Sequence, residues 1–171
     1  MVVADTEKAL TIDANVVNYY FRFINNCSLP KGLRVRMIKE FCVGILDKHP
    51  IAINQLIRTE YERVVGLETI KNWLGKRLQN NLAIHVDCLS LPDYVESCLK
   101  NDYGFNCRSK DAKYLETCIN TILKHFVTEN RAHFNLPHRS RRRRPMRIFL
   151  RRELGISVST IDECCAILLK C

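Results

Sequence analysis

Short apolar runs alternate with longer amphipathic stretches along this chain. Residues 9–13, ALTID, are apolar and β-branched up to a carboxylate and suit a short strand. Residues 15–27 then follow a helical pattern. LPKG at 29–32 breaks the chain, a helix is predicted over 33–48, and Pro50 stops it. The apolar IAINQLI at 51–57 reads as a second strand. Thr59 with Glu62 three residues on has the spacing of a capping box, which predicts a helix opening at Glu60. A further helix is predicted over 67–81, a third strand over 82–91, and a helix after Pro92 that breaks at Gly104. Ser109 is placed to cap a helix over 110–124, HFVT at 125–128 suits a fourth strand, and GISVS at 155–159 a fifth. Ser159 is then the expected cap of a last helix.

Strands alternating with helices of this length imply βαβ units. The expected fold is α/β, with a central parallel sheet of about five strands and helices on both faces. In such sheets ligands bind at the carboxyl ends of the strands, where the strand order reverses. The length of 171 residues fits one domain, 1–171, with an arginine-rich insertion at about 138–152. There is no internal repeat. No apolar run approaches the ~18–20 residues of a membrane span, and the first residues, MVVADTEKAL, lack the basic start of a secretory signal. No membrane association is expected.

Nine cysteines at scattered spacings, with no C-x-x-C pair, argue against a zinc site and a disulfide scaffold. Most lie in apolar patterns, where a reduced Cys packs as a small hydrophobe, and the expected location is cytoplasmic. Trp73, Tyr19 and Tyr20 read as helix core, and His133 as a loop residue rather than a general base.

The strand ends carry the candidate chemistry. Asp13 closes the first strand, Glu60 follows the second, Asp111 lies in the first turn of the helix before the fourth, and Glu129 and Asn130 follow the fourth. Singly, an acid in a first helical turn offsets the helix dipole by ~0.3–1 kcal/mol and needs no further role. Together, these side chains are expected along one edge of one sheet. Clustered carboxylates repel unless a cation sits among them. Hard oxygen ligands suit Mg²⁺ or Mn²⁺.

The stretches TIDANVVNYYF, NQLIRTEYERV, SKDAKYLETC and FVTENRAHF, in that order, resemble a PIN domain, the metal-dependent ribonuclease fold. The resemblance spans about residues 9–169. It implies an endoribonuclease in which Asp13 is the first metal ligand, positioned with Asn15, and Glu60 and Asp111 are the next acids. Asn130 takes a position that is often Asp, and Thr128 orients the loop or a metal-bound water. Glu129 is the neighbouring acid that would compensate for the lost charge. Asp5 in MVVADT is an alternative first acid; the helix directly after Asp13 and the spacing to Glu60 favour Asp13. RNA is the implied substrate, an antitoxin protein and a second copy of the chain the implied partners.

The net charge of +9 is local. Arg139, Arg141, Arg142, Arg143, Arg144, Arg147, Arg151 and Arg152 lie in one acid-free segment, RSRRRRPMRIFLRR, and without them the chain is near neutral. Such a segment suits RNA phosphates, with steep salt dependence. An acidic protein partner and a passive solvated loop are the other readings.

Overall fold

The computed structural model describes residues 8–29, 35–134 and 146–169. Five parallel strands form one sheet: β1 (Leu10–Ile12), β2 (Ile51–Ile53), β3 (Ala83–His85), β4 (His125–Val127) and β5 (Ser157–Ser159), in the order β3-β2-β1-β4-β5. The fold is an α/β sandwich, as the alternating pattern predicts. The order reverses between β1 and β4. There Leu10 pairs with His125 and Ile12 with Val127.

The helices are α1 (Ala14–Ile24), α2 (Val35–Phe41), α3 (Gln55–Val65), α4 (Leu67–Gln79), α5 (Asp93–Tyr103), α6 (Lys110–Ile119), α7 (Arg131–Phe134), α8 (Met146–Leu154) and α9 (Ile161–Leu168). A π turn, Cys42–Leu46, continues α2. α6 crosses β1, β2 and β4, with Tyr114 stacked on Phe126. α1, α3 and α4 pack together, and Tyr20, Phe21, Tyr61 and Trp73 form their aromatic contacts. Tyr19 and Tyr20 are half-buried against the core. Among the described residues no helix is long and apolar enough to cross a membrane.

Several element bounds differ from the sequence pattern, each for a local reason. Every strand is three residues long. β2 stops at Ile53 because the Asn54 side chain accepts the Ile57 N–H and caps α3. The Thr59–Glu62 capping box does not form: the Thr59 hydroxyl donates to the Gln55 carbonyl, and Glu62 pairs with Arg58. Glu60 therefore lies in the second turn of α3 and does not open it. β3 ends at His85, and residues 86–92 run on without a ladder. Ser109 occupies the N-cap position of α6, but its side chain makes no cap bond. Thr160, not Ser159, caps α9, in a reciprocal box with Glu163. His133 is helical, in α7. Arg147, Arg151 and Arg152 lie on α8 rather than in a loop.

Away from the switch point, Arg77 holds the lower loops. Its Nε donates to the Leu82 carbonyl at 3.1 Å, and its Nη2 to Leu46 and His49 carbonyls at 2.7 and 2.9 Å. Its guanidinium also lies over the Trp73 ring. The eight described cysteines are free thiols. Burial pushes the Cys42, Cys118 and Cys164 thiols up to about 12, so they pack as inert apolar groups.

Candidate functional site

β1 and β4 end side by side, and the chain turns over the same edge from both. The Asp13 N–H donates to the Val127 carbonyl, and the Thr128 N–H to that of Ser159. Asp13 caps α1: its Oδ1 accepts the Asn15 N–H at 3.0 Å. Its Oδ2 accepts the Thr128 hydroxyl at 2.6 Å. Asn15 thus positions Asp13 through its backbone, while its side chain lies at the exposed surface. Two tyrosines frame this acid. The Tyr114 hydroxyl accepts the Ala14 N–H, and the Tyr61 hydroxyl donates to the Ile12 carbonyl.

From Thr128 the network continues. Its Oγ accepts the Asn130 N–H at 3.0 Å, and the Asn130 Nδ2 donates to Asp111 Oδ2 at 3.2 Å. His133 Nδ1 also pairs with that Asp111 oxygen. Asp13, Thr128, Asn130, Asp111 and His133 are therefore one hydrogen-bonded chain, built from three distant stretches of sequence. Glu60 approaches from α3. Its oxygens bond Lys110 at 2.6 Å and Arg63 at 3.0 Å. Lys110 thereby ties α3 to the first turn of α6, next to Asp111.

Electrostatics separate these acids. Burial raises the pKa of Asp13, only 4% exposed, and the nearby charges of Asp111 and Glu60 raise it further; hydrogen bonds from Thr128 and Asn15 act the other way. Burial alone would raise Glu60 as well, but Lys110 and Arg63 hold it below the usual carboxylate range.

Glu129 points elsewhere. Its Oε1 accepts the Ile161 N–H at the start of α9, and its Oε2 pairs with Arg131. An acid at a helix N-terminus is satisfied there by amides and dipole, so Glu129 does not offset the missing charge of Asn130. Of the eight arginines, Arg147 bonds Glu163 at 2.8 Å and Arg152 pairs with Glu153. Arg151 and Arg152 occupy the last turn of α8. Arg139, Arg141, Arg142, Arg143 and Arg144 lie outside the described residues, as does Asp5.

His133, Lys110, Arg63 and the two tyrosines join the site without a signal of their own in the sequence. Only the fold sets His133 against α6. Among the described residues, no three His, Cys, Asp or Glu side chains are grouped so as to hold a metal ion. The donor chemistry still fits a hard divalent cation. Asp13, Asp111 and Glu60 offer only carboxylate oxygens, and the burial that raises Asp13, with the smaller push from Asp111 and Glu60, is a cost that a cation would offset. The present side chains direct those oxygens to Lys110, Arg63, Asn130 and His133 instead. Comparison of this chain with family models, with characterised proteins and with solved structures returned no match.

Proposed function

We propose that this chain is a divalent-metal-dependent endoribonuclease of the PIN-like type, working at the β1/β4 edge. The observation that carries the reading is the hydrogen-bonded chain from Asp13 through Thr128 and Asn130 to Asp111 at the switch point, where parallel sheets place ligands, with Glu60 near enough to act on Asp13 electrostatically. Asp13 and Asp111 would hold Mg²⁺ or Mn²⁺, with Asn130 and Glu60 beside them. When bound there, the ion would contribute activation of water and charge stabilisation on the phosphodiester. The protein's own part is positioning. Thr128 and the Asn15 N–H fix the Asp13 carboxylate. Asn130 and His133 orient Asp111, and Lys110 and Arg63 keep Glu60 ionised.

A second reading has one observation in its favour. Both Glu60 oxygens already hold internal cations, and Asn130 stands where an acid would complete the charge. On that reading the chain is a catalytically impaired PIN-like module that binds RNA or an acidic protein through its arginines.

Cleavage separates the two. A pool of single-stranded and structured RNA is incubated with Mn²⁺, Mg²⁺ or EDTA. The nuclease reading expects metal-dependent cutting that Asp13→Asn and Asp111→Asn abolish. Binding without cutting, unaffected by either change, would discard it in favour of the module. Asn at position 13 keeps an oxygen for the Asn15 N–H, so the cap of α1 survives the test.

A further inference from the structure

Three cavities on the described surface carry lysine or arginine in their walls. The largest, about 750 Å³, mixes Asp93 and Glu96 with Lys100 and Arg108. One of about 520 Å³ lies beside β5, where Glu163 faces Arg147 and Arg151. The third, about 250 Å³, lies between α3 and the start of α6 and touches the site through Glu60. Its floor is apolar, made by Leu56, Ile57 and Tyr114, and its rim carries Arg108, Lys110 and Lys113. Lys110 is engaged by Glu60, and Lys113 by Glu116. Arg108 has no acidic partner among the described residues, and it also borders the largest cavity.

We infer that this third cavity is a subsite for one unstacked nucleotide of the RNA, next to the carboxylates. The inference rests on RNA being the ligand of the site. The volume falls below the ~300–1,000 Å³ of sites for whole drug-sized ligands and suits a single ring system. An apolar lining with the uncompensated cation of Arg108 at its border matches the two chemistries of a nucleotide, a flat base and an anionic phosphate. Leu56 is half exposed, so a base entering there removes its surface from water. Arg108 then meets the adjoining phosphate at the wall between two cavities. A paired base cannot enter, because in a duplex it is stacked and its edges are engaged. The subsite therefore selects single strands.

Binding is measured by fluorescence anisotropy in EDTA, with a short fluorescein-labelled single-stranded RNA and a blunt duplex of the same sequence. Wild type is expected to prefer the single strand. Leu56→Asp and Arg108→Glu should each weaken that binding roughly tenfold. Arg108→Ala should flatten the slope of log affinity against log salt by about 0.7. Leu56 and Arg108 are surface residues, and thermal melts check that all three variants fold. Equal affinity for the duplex, no loss in either variant, or retention of poly-glutamate as strong as that of RNA would overturn the inference. Because the readout needs no cleavage, an RNA held through Leu56 and Arg108 but never cut would remove the nuclease reading and keep the subsite. An RNA cut with both residues indifferent would do the reverse.

Discussion

At the end of β1, the Asp13 carboxylate caps a helix, accepts the Thr128 hydroxyl and sits in the field of two other acids. Its raised pKa has a sign consequence. The stabilisation it gives as a neutral acid is complete below the unfolded value of 3.8 and is lost as pH rises through the folded value. Above the folded value the ionised side chain therefore costs stability, which a bound cation would return. Four strands' width is not needed for a second titrating group, for His125 lies at the other end of β4. Its Nε2 meets the Ser159 hydroxyl at 2.7 Å. Burial, with a smaller contribution from His49, lowers its pKa to about 4. The unfolded chain protonates near 6.5, so stability is full above that pH and is lost as pH falls towards 4. The loss amounts to about 3 kcal/mol. Melting temperatures between pH 4 and 7 should fall more steeply for wild type than for His125→Gln; parallel curves would rule this out. Asp13, Thr128, Asn130 and Asp111 were legible in the sequence because each stands at a strand end or in a helix's first turn. The direction of Glu129 was not, since the turn that sends it to α9 leaves no periodic trace.

Asn54 shows how much one capping residue decides at the scale of an element. Besides accepting the Ile57 N–H, its Nδ2 donates to Thr117 Oγ1 at 2.7 Å and to the Val86 carbonyl. It joins α3, α6 and the chain after β3. Asn54→Ala removes the cap and leaves the Thr117 contact unmade. The expected cost is about 2 kcal/mol by urea unfolding; a change below about 0.5 kcal/mol would place Asn54 among ordinary surface residues. The sequence offers two start signals for α3, Asn54 and the Thr59–Glu62 spacing, and pattern alone does not choose between them. An apolar run such as IAINQLI reads equally as strand or helix. Competition for the backbone settles it. Once Asn54 captures the Ile57 amide, the chain after Ile53 is turned into a helix and leaves the ladder. The same logic moved the cap of α9 from Ser159 to Thr160, because Glu163 completes a reciprocal box with Thr160 only.

Across the whole molecule, the alternation of elements foretold one parallel sheet, but not its order. That order arises because β4 joins β1 on the side opposite β2, which creates the switch point and draws the carboxylates together. At the other end, Arg77 gathers three carbonyls from the chain before β2 and β3. It is 5% exposed and is satisfied by carbonyls rather than by an acid. Its removal would take a donor from the Leu46 and His49 carbonyls, while Leu82 keeps the Ile51 N–H, and would leave a cavity under Trp73. Arg77→Ala is expected to cost roughly 3 kcal/mol, a fall of about 6–12 °C in melting temperature. Arg77→Lys should recover only part of it, since an ammonium cannot span the same fork. Full recovery by Lys would show that charge, not geometry, is what the loops require.

The π turn after α2 reaches beyond packing. Phe41, Cys42, Ile45 and Leu46 are all buried, with only Val43 and Gly44 between them. Gly44 lies under Leu169, whose Cδ2 would be 2.8 Å from an added Cβ. A π turn carries one residue more than an α turn, which slips the helical phase by about 100°. A heptad count begun before Cys42 is wrong after Leu46. A relative without the extra residue would align here only across a one-residue gap.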